Sequence, residues 1–245
     1  MGGGTSKAVK FGSKSVKSFK DRDTGYMTLD LKDNNLDQLP ATVCRLKKLQ
    51  VLDTSFNELC SLPAEIVKLR QLRALLLYSN RFEVVPQCVC ELRRLTDLVL
   101  TRNRIQAVPI EICQLTNLRY LSLHGNRIER FPEVICCREL SGLERLDLGE
   151  NKLKTVSSSI SRLHQLETLI LSDNQLENVP DTICKLTKLV SLWIKNNQLT
   201  SLPDKMATRL NELDELVIDN NPLPRELLNA AVRGVNSVRS YENTV

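Results

Sequence analysis

The chain has 245 residues, a length that fits one large domain or two small ones. Its formal net charge is +5, and the whole excess lies in residues 1–20, which hold five lysines and no acid. The remainder is neutral overall, with 29 basic and 29 acidic residues, whereas a nucleic-acid-binding protein more often carries its basic excess on the folded body. No window has the roughly 18 apolar residues of a membrane span.

The composition of residues 1–25 indicates a disordered basic tail. The start Met-Gly-Gly-Gly-Thr-Ser-Lys matches the pattern for N-myristoylation, with Gly2 as the acyl acceptor. One myristoyl chain binds a membrane only marginally, so a second signal is needed. Lysines near an anionic leaflet supply one, at about 1 kcal/mol each. The lysines of the tail are Lys7, Lys10, Lys14, Lys17 and Lys20.

The tail therefore predicts a cytoplasmic protein held peripherally at the inner face of the plasma membrane or at an organelle membrane. The alternative is an unmodified tail that only keeps the protein soluble.

Residues 26–222 repeat one pattern. A clear copy spans residues 118–132 as Leu-x-x-Leu-x-Leu-x-x-Asn-x-Ile-x-x-Phe-Pro. Its asparagine recurs at intervals of 23 to 25 residues, at Asn34, Asn57, Asn80, Asn103, Asn126, Asn151, Asn174, Asn197 and Asn221. A fixed period of this length is the signature of a solenoid, in which each repeat packs on its neighbours.

Each position in the pattern predicts local structure. The leading leucines flank a short strand and point into the core, and the asparagine amide pairs with backbone groups of neighbouring turns. A Leu/Val/Phe-Pro step then starts a convex segment, because proline fixes its own φ and disfavours helix before it. The predicted fold class is α/β. It is a curved leucine-rich repeat solenoid of about nine repeats, with a concave parallel β-sheet and short convex helices or 3-10 turns.

This pattern resembles the 23-residue leucine-rich repeats of intracellular Ras-group proteins, which include the Shoc family, the Ras suppressor protein and the Scribble-type scaffolds. The residues that carry the resemblance are Leu166, Leu169, Leu171, Asn174, Leu176, Val179, Pro180, Ile183, Cys184 and Leu186. The resemblance implies a non-enzymatic protein-interaction scaffold in Ras-type GTPase signalling, or one that organises a phosphatase. The alternatives are a soluble structural or interaction module, or a regulatory subunit that inhibits or targets an enzyme such as a phosphatase.

Two repeats depart from the pattern. The interval between Asn126 and Asn151 is two residues longer, with extra residues around Cys137, and Ser157 replaces the proline of the next repeat. We expect an irregular convex wall at this point.

The cysteines indicate packing rather than chemistry. Five of them lie ten residues after an asparagine, in a column of small buried side chains, at Cys44, Cys90, Cys113, Cys136 and Cys184. Without a secretory signal we expect reduced thiols. The two histidines, His124 and His164, lie too far apart in register to cooperate. The sequence therefore predicts no enzyme, no cofactor, no metal, no small-molecule substrate and no nucleic acid.

A partner protein is expected on the concave face, where side chains between the core leucines point outward. The predicted contact residues are an apolar and aromatic group, a tryptophan group and a basic stripe. They are Phe56, Leu76, Tyr78, Val99 and Tyr120; Ile170, Trp193 and Val217; and Arg81, Arg104 and Arg127, with His124 on the same face. Large apolar side chains that the core does not need are unexpected unless something covers them.

The repeats end at a Pro-Leu-Pro sequence, and we expect residues 223–245 to form a capping helix and a tail. Residues 225–238 read as one amphipathic helix that covers the open end of the core, as a terminal repeat must.

Overall fold

The computed structural model describes residues 8–11 and 14–244. Its strands are β1 (Ala8–Phe11), β2 (Lys14–Lys17), β3 (Phe19–Lys20), β4 (Met27–Asp30), β5 (Val51–Asp53), β6 (Ala74–Leu76), β7 (Asp97–Val99), β8 (Tyr120–Ser122), β9 (Arg145–Asp147), β10 (Thr168–Ile170), β11 (Ser191–Trp193) and β12 (Glu215–Val217). Strands β4 to β12 form one parallel sheet in chain order, in register through their central leucines. The predicted solenoid with a parallel sheet is confirmed.

Short 3-10 helices cross the other side of the core, as predicted. They are Val43–Arg45, Ala64–Lys68, Gln87–Glu91, Ile110–Gln114, Glu133–Cys136, Arg138–Leu140, Ser158–Arg162 and Asp181–Lys185. In most of these repeats a proline takes the position before the helix. The proline-free repeat keeps its helix because the Ser157 hydroxyl accepts a hydrogen bond from the Ser159 amide at 3.2 Å.

The longer repeat accommodates its extra residues as a second 3-10 helix, Arg138–Leu140. This helix follows directly on Glu133–Cys136, and between them Cys137 turns outward. Cys137 is joined to Cys113 of the preceding coil as a disulfide. The expectation that all thiols are reduced is therefore wrong for this pair.

The core is a continuous column of leucine. The central strand residues and the leucines that flank them are almost fully buried in every repeat. Each coil is too thin to bury its own apolar face, so burial comes from stacking on both neighbours. Burial of this apolar area is the main favourable contribution to the fold.

The asparagine ladder joins the turns that follow the strands. The Asn126 side chain donates to the carbonyls of Leu100 at 3.0 Å and Leu123 at 2.9 Å, and it accepts from the Ile105 amide at 2.9 Å. Each asparagine from Asn57 to Asn221 is buried and makes equivalent bonds within its own turn and to the preceding coil. The predicted ladder is present.

The N-terminal segment differs from the predicted disordered tail. Strands β1 and β2 pair antiparallel, and β3 pairs antiparallel with β4 at the edge of the sheet. The edge of β4 would otherwise present unpaired backbone groups, and β3 covers them. The sequence signal was available, because Gly12-Ser13 separates two short runs in the manner of a two-residue hairpin connection. Gly2 and Lys7 lie outside the described residues.

The C-terminal segment forms two helices where one was predicted. Helix α1 (Met206–Arg209) precedes β12, and helices α2 (Arg225–Val232) and α3 (Val235–Glu242) follow it. Gly234 separates α2 from α3 with φ 102°, a conformation that few other residues adopt. The Glu242 carboxylate accepts from the Ala207 and Thr208 amides, and the Arg239 guanidinium donates to the carbonyls of the last coil.

No helix in the described part of the chain combines the length and the apolar character needed to cross a bilayer.

We predict that Asn126→Ala lowers the free energy of unfolding by about 3 kcal/mol, because it leaves buried backbone groups unsatisfied. Chemical denaturation of the purified protein measures the loss. Asn34→Ala is the matched control, since the Asn34 side chain lies at the solvated edge and makes one backbone bond, to the carbonyl of Lys32. An equal loss in both variants would contradict the ladder as the source of stability.

Candidate protein-binding surface

Strand alternation divides each repeat between the core and the concave face. In β6, Leu75 is buried in the core while Ala74 and Leu76 point outward. Neighbouring strands carry equivalent residues in register, so the outward side chains form columns that run along the solenoid. Most of the outward side chains are half-buried, although a few, such as Ser122, are buried. The concave face is thus a regular platform whose chemistry changes from coil to coil.

The first half of this face carries an aromatic patch, here defined as Phe56, Leu76, Tyr78, Val99 and Tyr120. The rings of Phe56 and Tyr78 meet edge to face, with centroids 4.6 Å apart and planes at 84°. Such pairs contribute about 0.5–1.5 kcal/mol beyond area burial. Phe56 remains 41% exposed, and the other members are half-buried. The structure therefore brings together the first predicted group.

Cations flank each ring of the aromatic patch. Lys32 Nζ lies 4.9 Å from the Phe56 centroid, and the guanidinium of Arg145 lies 5.1 Å from that of Tyr120. Arg102 lies 5.9 Å from the Tyr78 centroid and also donates to the Tyr78 hydroxyl at 3.1 Å. These contacts hold the rings in fixed orientations.

The second predicted group needs a correction. Ile170 is only 7% exposed, so it is not an accessible contact residue. Its register partner on the next strand is Trp193, whose indole is large enough to cover it. Trp193 and Val217 stay half-exposed. The buried Trp193 Nε1 and Ser172 Oγ have no hydrogen-bond partner in the described part of the chain.

His124 forms the polar centre of the concave face. Its Nδ1 lies 3.4 Å from Asp147 Oδ1, and its Nε2 lies 3.2 Å from Glu150 Oε1. The hydrogen bond to Asp147 raises the pKa of His124, and the charges of both carboxylates add to this effect against partial burial. The adjacent Gly149 makes this packing possible, because a Cβ there would lie 2.7 Å from His124 Nδ1.

The basic stripe lies on the flank that follows the asparagines. Lys152 follows Asn151 as the three arginines follow their asparagines, and it extends the stripe beyond Arg127. Arg81 pairs with Glu58 at 2.9 Å, and Lys152 pairs with Glu129 at 3.2 Å. Arg104 and Arg127 are exposed and make no ion pair with any residue that the structure describes. The stripe's unpaired charge is therefore concentrated in its two central arginines.

A polar cleft of about 690 Å³ opens on the same flank, beside the longer repeat and the proline-free repeat. Arg130, Lys154 and Ser157 line it together with Glu129 and Glu133. Acids and bases alternate around this cleft, and it lies away from the aromatic patch.

The sequence reasoning missed several contact residues. Lys32, Asp147 and Glu150 orient the predicted side chains but were not selected. The repeat pattern does not identify them, because the pairing of a ring or imidazole with a charge on the neighbouring coil depends on how far the side chains extend. Lys17 and Lys20 of the predicted membrane-binding set are exposed, while only the backbone of Lys10 and Lys14 is described.

Comparison with known proteins supports this architecture. The leucine rich repeat family model matches residues 25–82, 70–128, 133–176 and 164–223. No curated protein sequence matches the chain.

Solved structures show the same fold. A leucine-rich repeat protein of Leptospira interrogans is 32% identical, with a TM-score of 0.69 over 79% of this chain and 55% of that one. An internalin of Listeria monocytogenes is 23% identical, with a TM-score of 0.71 over 81% of this chain and 56% of that one. The ectodomain of the Arabidopsis thaliana receptor kinase GASSHO1/SCHENGEN3, in complex with CASPARIAN STRIP INTEGRITY FACTOR 2, is 28% identical, with a TM-score of 0.61 over 76% of this chain and 26% of that one. The chain thus spans about half or less of the length of these relatives.

We predict that the ion pairs of His124 make stability depend on pH. The folded-state pKa is raised above 6.5, so this contribution is fully present below about pH 6.5 and is lost as pH rises through the folded-state pKa. His124→Gln should lower the melting temperature more at about pH 5.5 than at about pH 8.5.

Thermal unfolding of the wild type and the variant at both pH values measures this difference. His164→Gln, at an exposed histidine on the convex side, is the control and should show the same small effect at both. A pH-independent effect of His124→Gln would contradict the assigned ion pairs.

Proposed function

The chain belongs to the leucine-rich repeat family, and we propose that it is a non-enzymatic scaffold that binds a partner protein across its concave face. Leucine-rich repeats generally mediate protein–protein interaction, and the plant receptor ectodomain similar to this chain is in complex with CASPARIAN STRIP INTEGRITY FACTOR 2. The aromatic patch is the observation that carries the proposal for this chain.

The patch has the properties of a binding anchor. Its rings are held by contacts with each other and with cations, so little side-chain entropy is lost when a partner covers them. Tyrosine, tryptophan and arginine are the residues in which binding energy is most often concentrated. Leu76 and Val99 offer apolar surface between the rings, and Lys32, Arg102 and Arg145 offer charge at the rim. A partner with an apolar centre and acidic groups around it fits this arrangement.

The resemblance to Ras-group repeats supplies the candidate partner classes. We propose a small GTPase or a protein phosphatase as the bound protein, acting in intracellular signalling. The support is the repeat pattern of the sequence together with the available concave face.

We predict that Tyr78→Ala and Trp193→Ala each weaken partner binding by about tenfold or more, which corresponds to about 1.4 kcal/mol. Affinity capture first identifies the partner, and titration calorimetry with purified small GTPases or phosphatase subunits then measures the binding. Ile110→Ala is the matched control, because Ile110 is 63% exposed but lies in a convex 3-10 helix. Equal binding by the wild type and both concave variants would overturn the proposal.

A second part of the proposal places the scaffold at a membrane. Myristate on Gly2 and the lysines at positions 7 to 20 would act together, since neither signal alone gives stable attachment. The exposure of Lys17 and Lys20 supports this arrangement, because both side chains are free to meet lipid head groups. An anchored scaffold raises the effective concentration of its partner at the membrane.

We predict that the chain acylated by an N-myristoyltransferase floats with phosphatidylcholine vesicles that contain phosphatidylserine, and that Gly2→Ala does not. Replacing Lys17 and Lys20 by glutamine should weaken vesicle binding about fivefold for each lysine, the equivalent of about 1 kcal/mol. Mass spectrometry of the N-terminus checks the acyl group. Vesicle binding that is the same with and without Gly2 would rule out the anchor.

A further inference from the structure

Two cysteines of neighbouring coils meet on the convex side. Cys113 lies in the 3-10 helix Ile110–Gln114, and Cys137 lies between the helices Glu133–Cys136 and Arg138–Leu140. Their Cα atoms are 6.3 Å apart and the side chains are joined as a disulfide. This separation is within the range of unstrained disulfides, so forming or breaking the bond requires no large movement of the backbone.

The longer repeat creates this pair. In a regular 23-residue repeat the residue that faces Cys113 on the next coil is Cys136, and Cys136 points into the core. The extra residues turn the chain outward immediately after Cys136 and bring Cys137 to the surface beside Cys113. The longest repeat is therefore also one of the two coils that the disulfide links covalently.

The other thiols in the column are poor redox partners. Cys44, Cys90 and Cys136 are buried, and burial raises the pKa of these thiols to about 11, about 12 and about 11. A buried thiol that stays protonated is a weak nucleophile. Cys113 and Cys137, by contrast, are both only partly buried and are therefore more open to solvent than these three thiols.

We infer that Cys113 and Cys137 form a reversible redox site whose co-reactant is a small-molecule disulfide such as oxidised glutathione. The thiolate of one cysteine attacks a sulfur of the co-reactant, breaks its S–S bond and expels one thiolate, leaving a mixed disulfide. The thiolate of the second cysteine attacks the protein-bound sulfur, forms the Cys113–Cys137 bond and expels the second small thiolate. The two protons released by the cysteines protonate the leaving thiolates. Two cysteines are oxidised and one small disulfide is reduced to two thiols.

The disulfide controls how firmly two neighbouring coils are held together. Near these coils the concave surface changes from the aromatic patch to the polar residues around His124. On the concave side, the contacts of Tyr120 with Arg145 and of His124 with Asp147 join β8 to β9, the two strands that follow the convex segments carrying Cys113 and Cys137. The disulfide links the two coils covalently on the convex side. After its reduction, only apolar packing and the asparagine ladder hold the coils together. This consequence for binding rests on the proposed function, whereas the redox chemistry does not.

The test is a titration of the full chain in glutathione buffers of increasing oxidised fraction, followed by alkylation and mass spectrometry. We expect a single transition in which Cys113 and Cys137 lose their reactivity together, and which is reversed by dithiothreitol. Cys113→Ser and Cys137→Ser should each abolish this transition, and Cys60→Ser, at an exposed cysteine outside the pair, should leave it unchanged. Circular dichroism verifies that each variant is folded.

Hydrogen exchange of the wild type then compares the two states without any substitution. Reduction should increase exchange at residues 137–142 and in the turn after β8, and leave the first three repeats unchanged. Equal alkylation of both cysteines in all buffers would overturn the inference. It would also be overturned if the reduced chain bound one zinc ion through Cys113, Cys137 and the nearby Glu139 and formed no disulfide in any buffer.

Discussion

The hydrogen bonds of the asparagine ladder are the constraint on which the structure depends. Each strand is only about three residues long, so the sheet satisfies few backbone groups of a coil. The turn that follows would leave its carbonyls and amides buried and unpaired, at about 1–3 kcal/mol for each group. The buried side chain of Asn126, for example, donates to two backbone carbonyls and accepts from one backbone N–H, and these groups come from two coils. The ladder thereby fixes the spacing of the coils, and the leucine core and the concave columns follow from that spacing.

The same turn determines which side chains reach the edge of the concave face. The residue before every ladder asparagine has a positive φ, between 49° and 65°. Phe56, Arg102 and Glu150 occupy this position, and each contacts a predicted binding residue of the face: Phe56 and Arg102 meet Tyr78, and Glu150 meets His124. Left-handed backbone costs a non-glycine residue about 1–2 kcal/mol. The ladder offsets this cost, so the fold can place large side chains at a position that usually favours glycine.

The fold could be predicted from the sequence because its determinants are periodic. The period identifies the strands, the ladder and the outward columns, and eleven of the twelve predicted contact residues remain at least partly exposed. Ile170 was misplaced because alternation along its own strand assigns a residue to the concave face but does not determine how far its neighbours bury it. The break at Gly234 and the N-terminal strands were missed for a related reason, since non-periodic segments are determined by what they pack against at the ends of the solenoid.

The longer repeat provides a covalent link between coils that the regular repeats do not have. Most column cysteines, such as Cys90, lie in the core and act as small apolar side chains, whereas Cys113 is partly exposed. Two further residues in one coil leave its column cysteine buried as Cys136 and add a second, Cys137, at the surface. Because solenoid coils interact only with their neighbours, a change at this junction affects the two adjacent coils and little else. The strands that follow these two convex segments carry Tyr120 and His124 on the β8 side and Arg145 and Asp147 on β9, so a covalent change on the convex surface acts close to the charged and aromatic contacts of the concave one.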